Sequence, residues 1–283
     1  MNPIVSSSLI HFTKRFDSLK SILRNGIRYS YCSEEYPSAL AYNIKNIDTK
    51  GFQYNNIYSN KSEFKRVLIP MVSFCDIPLT RSHIHTKKYG FYGIGIDRDF
   101  ARSIYKNLMP VQYMSSDRFQ TAISELSIIL AKHKDLDKQI IDSIKLIIGT
   151  TKTYNVKREK QNILCYEERE WRLIYSDDKE TPWGWGISDK KTKDEYNSKL
   201  HTNKDLSYFS FIRNEDKLTE CIVNENINKL ITHIIVKKEE QIPIIANFIL
   251  NERNSFFGYR LSKDSRLLLI SKLISYERLN KDF

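Results

Sequence analysis

The chain has 283 residues, 41% of them hydrophobic and 12% aromatic, which is enough apolar material for a buried core and argues against global disorder. Its formal net charge of +11 points to an anionic partner, most simply nucleic acid or an anionic substrate, although a lysine-rich composition alone gives the same charge. No apolar run approaches the ~20 residues that cross a bilayer, and the first residues lack a signal-peptide pattern. We therefore expect a soluble, cytoplasmic protein.

The cysteines are widely spaced along the chain, at Cys32, Cys75, Cys165 and Cys221. None of them forms a CxxC pair, which argues against a zinc ribbon. This spacing favours reduced thiols, most of them buried, and we predict no metal.

The chain opens with a strand and a helix. Ser8–Thr13 is the predicted strand, and its alternation places His11 and Thr13 on the same side of the pleat. Phe16–Asn25 carries apolar residues at helical spacing, so we expect a helix there with Asp17 as its N-cap.

The next segments alternate between polar stretches and apolar strands. Residues 34–61 are polar and weakly periodic, which favours a helix and loop that cover a cleft. Val67–Phe74 is a predicted buried strand. His83 and His85 have the spacing of two metal ligands on a strand, but their neighbours are cationic, and residues 89–96 form a glycine-rich turn that enters a strand.

The second half predicts a helical insertion and a C-terminal α/β segment. Apolar residues at helical spacing mark the insertion at about 117–148. Strands are expected at Phe209–Ile212 and Lys229–Val236, and a helix at Glu239–Asn251. Because no repeat or linker is visible, we predict a single α+β domain over residues 1–283 with a mixed or antiparallel central sheet.

The stretch Tyr166–Tyr175 carries the most distinctive charge pattern. As a strand, it places Glu168, Glu170 and Arg172 on one face and large apolar residues on the other. Two carboxylates on one buried face destabilise each other's charged forms unless they are paired or used. A surface ion pair of Glu170 with Arg172 or with Glu168 accounts for the spacing equally well.

The motifs, taken in order, resemble those of the abortive phage-infection AbiGi family. The resemblance runs from about Ser8 to Phe283 through HFT, VSFCDIP, YGFYGIGIDRDF, PVQY, YEEREWR, THIIVKKEE and ISYERLNKDF. It implies a role in bacterial defence against phage and an antitoxin-like function.

A second resemblance covers three short motifs. His11-Phe12-Thr13, Ser73-Phe74-Cys75 and Glu170 are similar in order to the strand motifs of DarT-like ADP-ribosyltransferases. The sequence departs from that pattern at Phe74, where a tyrosine is expected. This resemblance implies an ADP-ribosyltransferase-like domain with NAD as substrate.

The same resemblance implies roles for the carboxylates. Breaking the glycosidic bond of NAD passes through an oxocarbenium-like state, which a nearby carboxylate stabilises. Glu170 would take that role and hold the nicotinamide ribose. Glu168 would orient or deprotonate the acceptor.

The remaining implied residues would bind NAD. His11 would hydrogen-bond the adenosine ribose with Thr13 beside it, and Ser73 would also contribute to the NAD site. Arg28 or Arg172 would neutralise the pyrophosphate. Structural roles are equally open to three of these side chains, because His11 can be a structural histidine, Thr13 a helix cap, and Arg172 the ion-pair partner of Glu170.

Two functions follow from these patterns. The first is a phage-defence effector that transfers ADP-ribose from NAD to a nucleic-acid or protein acceptor, with basic segments 81–88 and 152–160 steering a nucleic acid. The alternative is a non-catalytic antitoxin or regulator that binds a toxin or a nucleic acid. Tyr89, Phe91 and Tyr92 lie among basic residues and can stack on bases or pack in the core.

Overall fold

A computed structural model gives the fold. It describes residues 6–37, 64–114, 137–158, 161–175, 220–251 and 253–282, together with positions 122, 194, 197, 198, 208 and 209.

The strands of the described residues are mostly short. In chain order they are β1 (Ser8–Thr13), β2 (Ile27–Arg28), β3 (Ser30–Pro37), β4 (Phe64–Cys75), β5 (Tyr92–Asp97), β6 (Leu108–Pro110), β7 (Gln112–Met114), β8 (Thr151–Thr153), β9 (Asn155–Arg158), β10 (Gln161–Leu164), β11 (Glu170–Ile174), β12 (Tyr208–Phe209), β13 (Ile231–Val236) and β14 (Leu273–Ser275).

The α-helices lie between these strands. They are α1 (Phe16–Asn25), α2 (His83–Tyr89), α3 (Arg98–Ile104), α4 (Lys138–Gly149), α5 (Glu220–Leu230), α6 (Ile242–Leu250), α7 (Lys263–Ile270) and α8 (Tyr276–Asp282). Short 3-10 helices occur at Leu79–Arg81, Cys165–Glu168 and Glu239–Gln241.

The chain divides into two compact units. Unit 1 comprises residues 1–28, 73–106 and 208–283, and unit 2 comprises residues 29–72 and 107–207. The boundary at Val72 and Ser73 lies inside β4. The single domain expected from the sequence stays a prediction.

Unit 1 is built on an antiparallel sheet with one parallel pair at its edge. β1 pairs with β5 over its whole length, from Ser8 opposite Asp97 to Thr13 opposite Tyr92. β5 also pairs antiparallel with β13, and β13 pairs parallel with β14. Ile10 of β1 pairs with Cys75 at the end of β4.

Apolar side chains on both faces of this sheet form the core of unit 1. On one face, α1 buries Leu19, Ile22 and Leu23, at the helical spacing that the sequence predicts. On the other face, the core includes Ile10, Phe12, Cys75, Ile77, Ile235 and Tyr276.

Unit 2 contains short strand pairs. β3 pairs antiparallel with the first part of β4, and β11 pairs antiparallel with β6. β9 pairs antiparallel with β10, and β7 pairs parallel with β8. The predicted α+β class with a mixed or antiparallel sheet is therefore confirmed, and most of the described strand pairs are antiparallel; the ADP-ribosyltransferase-like form of the domain stays a prediction.

Several local predictions are wrong for identifiable reasons. The helix at Phe16–Asn25 is confirmed, but its N-cap is Arg15 and not Asp17, which lies in the first turn. The predicted helix and loop at 34–61 begin instead with strand β3, which continues to Pro37, and residues 38–61 lie outside the described residues. His83 and His85 lie on helix α2, where positions two apart point to different sides, so their spacing is not that of two ligands on a strand.

Of the predicted insertion at 117–148, the structure describes position 122 and residues 137–148, where α4 forms; its other residues lie outside the described part of the chain. In the part of the chain that the structure describes, no helix is long and apolar enough to cross a membrane. The same residues contain no group of three or more His, Cys, Asp or Glu side chains that could hold a metal ion.

Candidate functional site

The candidate site begins where the predicted strand Tyr166–Tyr175 is broken. Cys165–Glu168 forms a 3-10 turn, and β11 starts only at Glu170. Arg169, between the two, has a left-handed backbone with φ of 42°. A non-glycine residue pays a steric cost in this region, and such residues cluster at functional sites. The prediction of one continuous strand is therefore wrong.

This turn brings Glu168 and Glu170 to one ammonium group. The Nζ of Lys152, on β8, lies 2.6 Å from Glu168 Oε2 and 3.0 Å from Glu170 Oε2. All three side chains belong to unit 2 and are largely buried. The two carboxylates are therefore brought together as the sequence predicts, but by a lysine that no sequence motif singles out.

Arg172 completes this group as a fully buried cation. Its Nε donates to Glu170 Oε1 at 3.0 Å and its Nη2 to Glu170 Oε2 at 3.1 Å, a bidentate pair. Nη2 also lies 2.8 Å from Glu34 Oε2, and Nη1 donates to the Gly149 carbonyl at 2.8 Å. We call this group the ion-pair cluster; its members are Glu34, Lys152, Glu168, Glu170 and Arg172.

The ion-pair cluster keeps its groups charged. Burial alone would raise the pKa of Glu170, but Arg172 and Lys152 outweigh it and hold that pKa well below its usual range. Burial alone would lower the pKa of Lys152, but the charges of Glu170, Glu34 and Glu168 raise it above its usual range. Near neutral pH, Glu170 is therefore a carboxylate and Lys152 an ammonium.

A group of tyrosines lies beside the ion-pair cluster. The backbone N–H of Glu170 donates to the Tyr113 hydroxyl at 3.1 Å. The Tyr113 ring contacts Tyr166 edge-on at 5.5 Å, and Tyr154 stacks on Tyr166 at 5.8 Å between ring centroids. Burial, together with the charge of Glu170, raises the pKa of Tyr113. These three residues are called the tyrosine cluster.

Tyr166 is the exposed member of the tyrosine cluster. It is 55% exposed although it is a large aromatic side chain. Its turn is fixed by backbone hydrogen bonds, since Cys165 N–H donates to Tyr154 O at 2.8 Å and Tyr154 N–H to Met114 O at 3.0 Å. The ring is thus presented to solvent on an ordered support.

The NAD-binding residues predicted in unit 1 have their own local arrangement. His11 Nδ1 donates to the Ser73 carbonyl at 2.9 Å, and the His11 ring contacts Phe74 edge-on. Burial lowers the pKa of His11, so its neutral form is favoured. Thr13 ends the same strand, and helix α1 has no side-chain cap, so the cap role of Thr13 is wrong.

The other two predicted residues differ in exposure. Arg28 is exposed on β2 in unit 1. Arg172 in unit 2 is fully buried with its guanidinium bound to Glu170, Glu34 and Gly149. Binding a pyrophosphate through Arg172 would require those contacts to break.

Comparison with known proteins gives two matches. A family model described as abortive phage resistance protein AbiGi, antitoxin, matches residues 44–216. The abortive phage resistance protein AbiGi of Lactococcus lactis subsp. cremoris is 24% identical over 257 residues, which cover 83% of this chain and 96% of that protein. No solved structure matches.

The matched range coincides with much of unit 2. It contains Lys152, Glu168, Glu170 and Arg172 and the whole tyrosine cluster, whereas His11, Thr13 and Arg28 precede it. The range that the family model matches therefore contains both features of the candidate site apart from Glu34.

Proposed function

Because the chain belongs to the AbiGi family, described as abortive phage resistance proteins, we propose that it acts as the antitoxin of a phage-defence system and binds a protein toxin. Tyr166 and its tyrosine cluster would be the central contact with that toxin. In this proposal the ion-pair cluster supports the binding surface and takes no part in chemistry.

The exposure of Tyr166 on an ordered support is the observation that carries the proposal. Single exposed apolar side chains are common, and exposure alone says little. Tyr166 differs because two aromatic neighbours and the backbone of its turn restrict its movement. A ring held in place loses little entropy on binding, and tyrosines are enriched among the residues that dominate binding energy.

The charge state of the ion-pair cluster supports a binding role over acid–base catalysis. A general acid or base works best when its pKa lies near the working pH. The pKa of Glu170 lies well below its usual range and that of Lys152 above it, so neither changes protonation near neutral pH. The two cations also occupy the carboxylates of Glu168 and Glu170.

A neutralisation experiment tests the proposal. The toxin of the same defence system is expressed from an inducible promoter, with the wild-type chain or Tyr166→Ala in the same cells. Wild type should restore growth. Tyr166→Ala should weaken the purified complex about tenfold or more, because it removes a central aromatic contact, and should restore growth poorly.

Leu268→Ala is the matched control. Leu268 is 51% exposed, almost as much as Tyr166, but lies on α7 in unit 1. The Leu268→Ala variant should bind the toxin and neutralise it as the wild type does. Equal binding by the wild type and Tyr166→Ala would contradict the role of Tyr166, and a failure of the wild-type chain to bind the toxin would contradict the antitoxin function.

The second candidate function is the ADP-ribosyl transfer suggested by the sequence. The left-handed backbone of Arg169 favours this second function. Strained residues cluster at functional sites, and this one lies between the two carboxylates that meet at Lys152 Nζ. In this candidate, the bond from the nicotinamide nitrogen to the ribose breaks and its electron pair leaves with nicotinamide. The acceptor then bonds to the ribose carbon, and Glu168 takes the acceptor's proton.

Incubation with labelled NAD and cellular RNA, DNA and lysate tests this second function. The wild-type chain should label one of these acceptors, and Glu170→Gln should abolish the label while retaining a cooperative melting transition. Tyr166→Ala should label as wild type does. Absence of label with the wild-type chain would rule out this candidate and leave the antitoxin proposal standing.

A further inference from the structure

Basic residues from three separate segments meet at one end of the sheet in unit 1. Strand β1 is followed by Lys14 and Arg15, the last turn of helix α2 carries Lys87 and Lys88, and β13 is followed by Lys237; all five are exposed. These five residues are called the basic rim. They lie outside the candidate site described above.

The close packing of Gly90 joins the first two segments. Gly90 has φ of +109° and ends α2. A Cβ at this position would lie 2.2 Å from the Thr13 carbonyl oxygen and 2.5 Å from the Lys14 Cα. The end of α2 therefore lies directly against the residues that follow β1, which brings Lys87 and Lys88 to Lys14 and Arg15.

Strand register brings Lys237 to the same end. Thr13 pairs with Tyr92, and Ile235 of β13 pairs with Gly93. Two residues after Ile235, Lys237 is level with Phe91, and its Nζ lies 4.9 Å from the Phe91 ring centroid. β1 and β13 therefore end, and β5 begins, at one place.

Aromatic side chains lie between the cations of the basic rim. Phe91 is half-buried and contacts Tyr276 edge-on. Tyr89 is half-buried, stacks on His85, and lies 4.9 Å from Lys88 Nζ. Half-buried rings have a fixed orientation and still expose part of their surface, so an unpaired base can contact them.

Acidic residues near these segments are mostly engaged elsewhere. Asp17 lies 4.0 Å from Lys20, Glu240 lies 3.2 Å from Lys238, and Glu277 lies 3.3 Å from Lys281. Glu239 is exposed next to Glu240. The cationic partners of the three paired carboxylates are not members of the basic rim.

We propose that the basic rim binds single-stranded nucleic acid. Its lysines and arginine contact the phosphates, and Phe91 and Tyr89 contact bases. Clustered cations interleaved with aromatic rings are the combination that binds single strands without sequence preference. This activity is separate from toxin binding, which we place on unit 2.

Fluorescence anisotropy with labelled single-stranded RNA and DNA oligonucleotides of mixed sequence tests this proposal. The triple variant Lys14→Glu, Lys87→Glu and Lys237→Glu changes one residue in each of the three segments. It should weaken binding by at least about tenfold and reduce the slope of log affinity against log salt by about 2. The RNA and DNA arms show which nucleic acid is preferred.

The matched control reverses three other exposed cations of unit 1, Lys229, Arg253 and Lys263, for the same change in net charge. Lys229 precedes β13 and so lies away from the end that carries Lys237. The control variant should keep the affinity within about twofold of wild type. An equal loss in both triple variants, or binding of anionic phosphatidylglycerol vesicles with no oligonucleotide binding, would overturn the proposal.

Discussion

Each unit of the molecule buries an arginine, and the described partners of the two guanidinium groups differ. Arg172 in unit 2 binds the carboxylates of Glu170 and Glu34. Arg266 in unit 1, 3% exposed, donates to the backbone carbonyls of Leu261, Ile249, Asn251 and Asn254 at 2.8–3.1 Å and lies over the Phe256 ring.

The two arginines differ in the groups that lose a partner when the arginine is replaced. Without Arg266, the four backbone carbonyls lose these hydrogen bonds. Without Arg172, full negative charges lose their counter-ion in a buried site. The arginine of unit 1 therefore fastens a loop, whereas that of unit 2 sets the charge state of its neighbours.

The largest effect is expected from Arg172→Met. It leaves Glu170 and Glu34 without this cation, and removing one partner of a buried pair costs about 3–5 kcal/mol. Urea denaturation measures the loss of unfolding free energy. The double variant Arg172→Met with Glu170→Leu should recover part of it, because it also removes a stranded charge. A single variant within about 1 kcal/mol of wild type would show that the site is hydrated or rearranges.

A smaller loss is expected from Arg266→Met. The stranded carbonyls cost about 1–3 kcal/mol in total if the loop relaxes towards solvent. Arg266→Lys should restore little, since a single ammonium cannot serve four carbonyls in the geometry of a planar guanidinium. Hydrogen exchange over residues 249–261 should speed up in both variants. Unchanged exchange there would contradict the fastening role.

The smallest effect is a dependence of stability on pH that belongs to unit 2. The pKa of Glu170 is lower in the folded than in the unfolded chain, so its contribution is complete above about pH 4.3 and is lost as pH falls further. The slope for one such group is about 1.4 kcal/mol per pH unit.

Melting curves between pH 3 and 5 measure this loss of stability at acid pH, called the acid limb below. Glu170→Gln should flatten it, whereas Arg266→Met should leave its slope unchanged. Lys152 has a raised pKa, so its contribution is complete below about pH 10.4 and is lost as pH rises above that. If the stability of the Glu170→Gln variant falls with pH as steeply as that of the wild type, the acid limb belongs to other carboxylates.

Local patterns in the sequence predicted the elements that depend on neighbouring residues. Strand β1 and helix α1 have the predicted boundaries, because alternation and helical spacing are strong there. The pairing of Glu170 with Arg172 also follows from positions two apart on a strand, although the pair is buried and not at the surface.

Contacts between distant positions could not be predicted in this way. Lys152 lies 18 residues from Glu170 on another strand, and only the fold joins them. The turn at Arg169 has no glycine or proline to mark it, so the stretch has the pattern of one strand. The helix that begins at His83 is short, and two histidines two positions apart, His83 and His85, fit a strand as well.

Gly149 carries a consequence for how this family can evolve. Its carbonyl accepts from Arg172, and a Cβ at this position would lie 3.1 Å from Ile174 Cδ1 and 3.3 Å from Ile174 Cγ1. A side chain at 149 therefore needs the Ile174 side chain to shift by a few tenths of an ångström or to be replaced by a smaller one; otherwise it moves the carbonyl away from the guanidinium. Among relatives, we expect alanine at the first position to co-vary with valine at the second.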